Sequence, residues 1–548
     1  MSLADPRLNR RSLLAFATAV SASGLLTHQG LAQDATPAAE AEATPGTGIQ
    51  AGDTIPPEYQ NAADTDWLTE GRNLAQDRNV TGSGITSESV SGLAEAWTMD
   101  INISAPYGAL VSNPIILGDT LFLQDANSNV YAVNRETGEE IWTNTYGADV
   151  PSGGPNGIAV GYGVIVYPVG NGLIIAADPA TGEERWSRDI TGPAGEGVCM
   201  APLIYDNKVW VSNTPASTAE DGMPGISGKR GMIYVLDITT GGLLWYFDTT
   251  KDNLWDHPAY HGGGGLWHPP AVSQDGEMFY AIGNIYPYPG DAEYPNGISR
   301  PGDNDYANNV LRIDKETGSL IWNENITGRD IFDLDTHLVV TGVVDFGDDY
   351  SRELVFASGK HGYVVALDPE SGAQHWRTPV GTHRNAHLQE VPEDAGSVEV
   401  WPGTLGGVET PFAYANNVVY TAILELPTVY TPVGIEGGFA FSEATGALAA
   451  LDATDGSKIW EIPIVSGALA AATVVNDLVF TGTLDGRVRA YSTADGSLVW
   501  SAQTTAGLNA PLAISGDYLY VPAGGPAIPS AETEDFEPAA RLVAYKLG

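Results

Sequence analysis

Residues 130–144, VYAVNRETGEEIWTN, contain two short strands joined by a tight turn. Apolar positions in VYAV alternate as in a β-strand with one buried face. In the turn, Asn134 can cap backbone amides and Gly138 can adopt a positive φ, and Trp142 lies in the second strand. One such stretch therefore predicts one β-hairpin.

The pattern of this hairpin, D-x-x-T-G-x-x-x-W, occurs seven times along the chain, the last two times in looser form. Its copies begin at Asn134, Asp178, Asp237, Asp314, Asp368, Asp452 and Ser492. Further strand signals lie between the copies, so each unit is predicted to be a four-stranded sheet that stacks on its neighbours. The Trp of each copy is expected to pack between adjacent sheets with its indole N–H satisfied.

An eighth copy is split between the two ends of the chain. Leu542–Tyr545 resembles the strand before the turn, and Leu93–Trp97 resembles the strand after it. Joining these strands would close a ring and remove its open edges. The sequence therefore predicts an all-β fold, an eight-bladed β-propeller of four-stranded antiparallel blades closed by N- and C-terminal strands.

Composition excludes several classes of function. The 68 acidic and 25 basic residues give a formal net charge of −43, which repels nucleic acid and anionic membrane surfaces. The charge is expected chiefly to keep an exported protein soluble, and the alternative is that it attracts a basic partner such as an electron carrier. The single cysteine, Cys199, rules out an internal disulfide, a thiolate metal cluster and haem attachment through C-x-x-C-H, and it is expected to be a buried, inert thiol.

The N-terminal segment has the pattern of an export signal. Arg10 and Arg11 precede an apolar, Ala-rich stretch, which predicts a twin-arginine-type signal peptide over residues 1–32 and an extracytoplasmic location. A retained anchor stays open as an alternative, but no stable membrane span is expected in the mature chain. Residues 33–57 have the composition of a disordered linker, and residues 58–548 are predicted to form a single propeller domain.

Two segments outside the repeat carry residues suited to binding chemistry. The run GGGGLW ends at Trp267, and glycines let backbone approach a ligand while an indole face can support a flat ring. Further on, DIFDLD spans residues 330–335, where alternate carboxylates on an extended segment would face one side. Together with the amide of Asn284, two of these carboxylates suit a hard cation that prefers oxygen ligands.

At this point the chain resembles the PQQ-dependent (quinoprotein) alcohol dehydrogenases over nearly all of residues 66–548. The likeness includes WLTEGRNLA at residues 67–75 and LVFTGTLDG at residues 478–486. It implies pyrroloquinoline quinone (PQQ) as cofactor with Ca²⁺ or a lanthanide ion, an alcohol, polyol or sugar as substrate, and a separate acceptor of the electrons.

The resemblance also assigns roles to individual residues. It implies that Trp267 forms the floor under the quinone, that Lys360 hydrogen-bonds it, and that Thr214 binds one of its carboxylates. Asp333 occupies the position of the catalytic base. The metal ligands implied by the resemblance are Asn284, Asp333 and Asp335, the last at the position of an extra acidic ligand in lanthanide-using members.

Other positions depart from the family pattern. Ser217 stands where a metal-binding Glu is usual, with Glu220 nearby, and the adjacent-cysteine pair of methanol-oxidising members is missing. The remaining departures are at Val111, Asn156, Glu409 and Thr410. These changes make methanol an improbable substrate. His257, His261 and His268 flank the glycine run at spacings of no compact metal motif, so they are expected to be polar loop residues.

Two functions therefore compete. One is the PQQ- and metal-dependent dehydrogenase, and the other is a non-catalytic extracytoplasmic propeller that acts as a scaffold or binding protein. The cluster of Trp267, Asn284, Asp333, Asp335 and Lys360 discriminates between them, because a scaffold has no reason to bring these side chains together.

Overall fold

The computed structural model describes residues 52–105, 107–147, 152, 154–170, 172–190, 197–214, 230–250, 261–303, 306–437, 440–525 and 539–548. The predicted signal peptide and most of the linker lie outside these ranges. Helix is confined to α1 (Pro57–Gln60) and to 3-10 turns at Val90–Gly92, Pro295–Gly297 and Phe441–Glu443 within the described part. None of the helices found there has the length and apolarity to cross a membrane.

The described chain is otherwise built from short strands. The first twenty are β1 (Asn79–Val80), β2 (Leu93–Asp100), β3 (Ile115–Leu117), β4 (Thr120–Gln124), β5 (Val130–Asn134), β6 (Glu140–Asn144), β7 (Ala159–Gly161), β8 (Val164–Val169), β9 (Leu173–Ala177), β10 (Glu184–Asp189), β11 (Leu203–Tyr205), β12 (Lys208–Ser212), β13 (Met232–Asp237), β14 (Leu243–Asp248), β15 (Gly262–Gly263), β16 (Ala271–Val272), β17 (Met278–Ala281), β18 (Ile285–Tyr286), β19 (Asn309–Ile313) and β20 (Leu320–Asn325). The others are β21 (Thr336–Asp345), β22 (Ser351–Gly359), β23 (Tyr363–Leu367), β24 (Gln374–Pro379), β25 (Val398–Val400), β26 (Ala413–Ala415), β27 (Val418–Glu425), β28 (Thr428–Thr431), β29 (Gly434–Glu436), β30 (Thr445–Asp452), β31 (Lys458–Ile464), β32 (Thr473–Val475), β33 (Leu478–Gly482), β34 (Arg487–Ser492), β35 (Leu498–Gln503), β36 (Gly507–Leu508), β37 (Ala513–Ser515), β38 (Tyr518–Gly525) and β39 (Arg541–Leu547).

These strands form eight sheets of four or five strands among the described residues, as a β-propeller requires. The sheets are β3–β6, β7–β10, β11–β14, β16-β17-β19-β20, β21–β24, β26-β27-β30-β31, β32–β35 with β1, and β36–β39 with β2. In the last of these, β2 pairs antiparallel with β39, so the two halves of the split repeat lie side by side. Two small sheets, β15-β18 and β25-β28-β29, come from segments inserted between the regular ones.

The Trp of one repeat packs on the turn of the next, as the repeat predicts. A Cβ added to Gly318 would lie 2.8 Å from Cε3 of Trp245, so the indole rests directly on that turn. The indole N–H of Trp245 donates to the carbonyl of Lys315 at 3.3 Å. The same contact recurs in the pairs Trp97–Gly138, Trp142–Gly182, Trp186–Gly241, Trp322–Gly372, Trp376–Gly456 and Trp460–Gly496. Neighbouring sheets are thus joined through turns that favour glycine.

Gly318→Ala is expected to destabilise the protein by more than a glycine replacement at an open turn. Gly318 has φ 69°, and the new methyl group would also meet Trp245. The left-handed backbone costs about 1–2 kcal/mol, and the clash adds about 1–3 kcal/mol. Gly118→Ala is the control, because Gly118 has φ 57° and nothing within 4 Å of an added Cβ. Equal free energies of unfolding for both variants in denaturant titrations would contradict the packing described.

A short segment before the first regular sheet connects most of the sheets to each other. Residues 67–78, which we call the N-terminal clasp, make backbone hydrogen bonds in chain order with β3, β7, β16, β21, β26 and β32. The bonded residues of these strands are buried, and each strand except β32, whose sheet also contains β1, is the first of its sheet in the chain. Arg78 is fully buried within the clasp, and its guanidinium donates to Ala472 and Thr473. The clasp therefore couples sheets that are far apart in sequence.

Candidate active site

The glycine-rich run places Trp267 by close backbone packing. Gly263 in β15 has φ 90°, and an added Cβ would lie 2.5 Å from the carbonyl of Asn284 in the segment beside β18. The run is further fixed by Thr214, whose hydroxyl donates to the carbonyl of Leu266 at 3.0 Å. Trp267 follows immediately and is half-buried, so its indole is held on a close-packed loop.

Lys360 joins the two aspartates to this indole. Its ammonium lies 3.1 Å from Oδ2 of Asp333 and 2.6 Å from Oδ2 of Asp335. The same ammonium lies over the Trp267 ring, 5.7 Å from the centroid. All three charged side chains are buried. Four of the residues expected to bind or react are therefore in one cluster.

Asn284 also contacts this cluster. Its backbone N–H donates to Oδ1 of Asp335, and its side-chain amide donates to the carbonyl of Ile285 at 3.3 Å. The preceding residue, Gly283, packs so closely that an added Cβ would lie 3.0 Å from both Asp335 Oδ1 and Trp267 Nε1. Thr214 contacts the loop under Trp267, so the structure brings all six predicted site residues into one region.

The acidic run itself is not the extended strand expected from its alternation. Asp330 turns inward, and its carboxylate accepts hydrogen bonds from the backbone N–H groups of Phe332 and Leu334 at 2.8 Å each. Asp333 adopts the left-handed conformation, with φ 62°. A non-glycine residue in that conformation is uncommon outside turns and functional sites. The turn, rather than strand alternation, therefore directs Asp333 and Asp335 at Lys360.

One ammonium faces two carboxylates in this pocket. Burial raises the pKa of Asp333 well above its ordinary value; Lys360 opposes the rise and Asp335 adds to it. Burial alone would lower the pKa of Lys360, but Asp333 and Asp335 outweigh it and hold the pKa well above the usual lysine value. Lys360 therefore stays charged, and Asp333 is a stronger base than an exposed carboxylate.

Two further residues of the site carried no predicted role. The hydroxyl of Thr404 donates to Oδ2 of Asp333 across 71 positions of sequence. Glu409 interacts electrostatically with Lys360 and Asp335, and its Oε1 is buried without a hydrogen-bond partner. The departure of Glu409 from the family pattern was its only sequence signal. Thr404 had none, because its contact depends on how the loop before β26 folds back.

Glu409→Gln is expected to stabilise the protein at alkaline pH. Burial raises the pKa of Glu409 from 4.5 to about 7. The folded wild type therefore binds more protons than the unfolded chain between these values, and its stability falls as pH rises through them. At pH 8 the free energy of unfolding of the variant should be about 3 kcal/mol above that of the wild type, and at pH 4 the difference should vanish. Denaturant titrations at both values measure this, and equal stabilities at pH 8 would contradict it.

The residues present fit a flat quinone better than they fit a complete metal site. A Cβ at Gly154 would lie 2.7 Å from Cζ3 of Trp267, so glycine backbone packs closely against the indole at this point. Oxygen donors of Asn284, Asp333 and Asp335 suit a hard cation in kind. However, no three His, Cys, Asp or Glu side chains of the described residues are grouped as metal ligands. A cation would need a further ligand, and the candidates Ser217 and Glu220 lie outside the described residues.

The other flanking residues differ from expectation in part. Cys199 is half-buried rather than buried, and a Cβ at Gly154 would approach its Cβ to 3.0 Å, so it borders the Trp267 loop. His261 and His268 are polar loop residues as expected, and they are buried and hydrogen-bonded, to Ser299 and Glu70. His257 lies outside the described part of the chain.

The sequence matches two family models. One is described as outer membrane protein assembly factor BamB and matches residues 126–257, 306–401 and 362–529. The other is described as the β-propeller domain of glucose/ethanol/alcohol dehydrogenases and matches residues 67–168 and 194–345. Together the matched segments run without a gap from residue 67 to residue 529.

Curated and solved proteins agree with these matches. The chain is 26% identical over 493 residues to quinohemoprotein alcohol dehydrogenase ADH IIB of Pseudomonas putida, covering 78% of this chain and 68% of that protein. The crystal structure of quinohemoprotein alcohol dehydrogenase from Comamonas testosteroni superposes with a TM-score of 0.77 at 20% identity, covering 92% of this chain and 83% of that one. A europium-containing methanol dehydrogenase gives a TM-score of 0.71 at 19% identity over 89% and 99% of the chains. The chain therefore belongs to the PQQ-dependent alcohol dehydrogenase-like β-propeller family of oxidoreductases.

Proposed function

We propose that the protein is an exported dehydrogenase, dependent on PQQ and on Ca²⁺ or a lanthanide ion, that oxidises an alcohol, a polyol or a sugar. The observation that carries this proposal is the contact of Asp333 and Asp335 with the Lys360 ammonium, which itself lies over the Trp267 ring. Burying three charged groups together costs free energy even when they are paired, and buried ionisable clusters of this kind are typical of functional sites. A flat, electron-accepting ring on the indole gives this arrangement a use.

In this proposal the side chains divide the chemistry among them. Bound PQQ supplies a two-electron acceptor for the hydride equivalent of the alcohol. Asp333 accepts the hydroxyl proton, and the Thr404 hydroxyl orients its carboxylate. Lys360 holds a positive charge beside Asp333 and Asp335, and this charge would stabilise negative charge that develops on the quinone when it is reduced. Trp267 supports the ring from below.

The remaining residues bind rather than react. Asn284 and Asp335 offer oxygen atoms to a cation, and Thr214 fixes the loop that carries Trp267. We further infer that the eight larger sheets are the eight blades of one closed ring, formed by a single domain over residues 58–548. The pairing of β2 with β39 supports closure.

The N-terminal segment supports export of the protein, and the net charge supports a basic electron acceptor. The twin-arginine pattern at Arg10 and Arg11 supports an extracytoplasmic location. A net charge of −43 would speed encounter with a basic acceptor such as a cytochrome. Electron transfer to it should slow as ionic strength rises.

A scaffold is the second candidate, because one matching family model describes an outer-membrane assembly factor. That function requires a folded propeller but no buried lysine between two aspartates. Reconstituting the purified protein with PQQ and Ca²⁺ or La³⁺, then following dye reduction with a panel of alcohols, polyols and sugars, separates the candidates. Substrate-dependent reduction that disappears after cation removal supports the dehydrogenase, and none with either cation favours the scaffold.

A further inference from the structure

A buried, hydrogen-bonded pair of side chains adjoins the Trp267 loop and has no part in the chemistry proposed above. His268 follows Trp267 directly, and its Nδ1 lies 3.0 Å from each carboxylate oxygen of Glu70. Both side chains are almost completely buried. Neither lies in the cluster formed by Lys360 and the aspartates.

Glu70 is itself firmly held, because it belongs to the N-terminal clasp. Its carbonyl accepts hydrogen bonds from the indole N–H of Trp67 at 3.1 Å and from the Arg78 guanidinium at 2.7 Å. Arg78 in turn donates to the carbonyls of Ala472 and Leu512, in two other parts of the ring. The backbone of Glu70 is therefore held by Trp67 and, through Arg78, by two distant parts of the chain, while its carboxylate meets His268.

The His268 ring also contacts the chain segment that carries Asp335. It stacks on His337, with ring centroids 5.4 Å apart and planes 26° from parallel. His337 follows Asp335 by two residues, and its Nε2 lies 3.3 Å from the carbonyl of Glu409. His268 thus packs between the clasp and the chain segments that carry two acids of the pocket.

We propose that Glu70 and His268 are positioning residues that fix the position and orientation of the Trp267 indole. The loop before Trp267 contains four consecutive glycines, whose backbone freedom gives little rigidity of its own. A charge-assisted hydrogen bond to the carboxylate of Glu70, whose backbone is held in the clasp, supplies the missing constraint. The consequence for PQQ affinity rests on the proposed function, whereas the constraint on the loop does not.

Hydrogen exchange of the apo protein tests the constraint directly. Glu70→Gln is expected to raise amide exchange over residues 262–268 about fivefold, since a charged hydrogen bond is replaced by a weaker one. The exchanged pair Glu70→His with His268→Glu should restore the wild-type rate. The control is Asp206→Asn, which weakens a partly buried pair with Lys208 in another sheet and should leave exchange over residues 262–268 unchanged.

Titration of PQQ, followed by its absorption, measures the consequence. Glu70→Gln should raise the Kd about tenfold, and the exchanged pair should recover most of the affinity. Unchanged exchange over residues 262–268, or faster exchange in every sheet, would overturn the positioning role. If the wild type does not bind PQQ, the proposed function fails, and the exchange result still decides whether the pair holds the loop.

Discussion

Asp333→Asn should reduce substrate-dependent dye reduction by the reconstituted protein by about 10²–10⁴-fold. The amide keeps the shape of the carboxylate but cannot accept the hydroxyl proton. Because burial raises the pKa of Asp333 well above its ordinary value, its carboxylate is a stronger base than an exposed one. Folding should survive, since the change removes one of two carboxylates that share a single ammonium.

The control for this variant is an aspartate with similar backbone geometry and no site contact. Asp348 is exposed and also left-handed, with φ 53° against 62° for Asp333. Asp348→Asn should therefore retain wild-type rates. Asp333→Asn should still bind PQQ, so that the loss appears in kcat. Retention of the wild-type kcat by Asp333→Asn would remove it from the catalytic role.

Lys360→Met should lower the free energy of unfolding at pH 8 by about 3–5 kcal/mol, the usual cost of removing one partner from a buried ion pair. Methionine fills a similar volume but leaves Asp333 and Asp335 facing each other without a counter-charge. The effect should shrink at acidic pH, where Asp333 can be neutralised by protonation. Denaturant titrations of the apo protein measure both values.

Two companion variants show whether charge is the cause. Lys315→Met removes a half-buried lysine that donates to the carbonyl of Gly276, and it should cost about 1 kcal/mol or less. Adding Asp333→Asn to Lys360→Met should recover part of the loss, because only one unpaired carboxylate then remains. A Lys360→Met protein as stable as the wild type at pH 8 would show that the ammonium does not compensate the aspartates.

The repeat made the sheets predictable, because its residues act locally. Asn or Asp in the turn and glycine at positive φ recur with each hairpin, and the Trp that follows packs where its spacing predicts. The pairing of Leu93–Asp100 with Arg541–Leu547 was also predictable, since both strands match the same pattern. Local turn chemistry and long apolar side chains were enough for this part.

The residues of the site were predictable, but their arrangement in space was not. Family likeness indicated Trp267, Asp333 and Lys360, but not how the chain brings them together. The inward turn at Asp330 could not be predicted from alternation, because its carboxylate bonds to backbone two and four residues ahead. Thr404 reaches Asp333 only through tertiary folding.

The contacts of the N-terminal clasp and the hydrogen-bonded pair Glu70–His268 could not be predicted from the sequence pattern either. Glu70 and His268 are 198 positions apart, and each alone has the character of an ordinary polar residue. Their contact depends on residues 67–78 passing from one sheet to the next, and this segment has no strand periodicity that would signal such a path. Long-range polar pairs of this kind are decided by packing rather than by local propensity.

The proposed dehydrogenase function requires that PQQ binds against Trp267, in the cluster with Lys360, Asp333 and Asp335. A crystal structure of the protein grown with PQQ and Ca²⁺ measures this. We expect a planar ring lying on the Trp267 indole, with the Lys360 ammonium at its edge and Asp333 facing the open side. Electron density for PQQ elsewhere, or none while Lys360 still bridges the two aspartates, would contradict the proposed function.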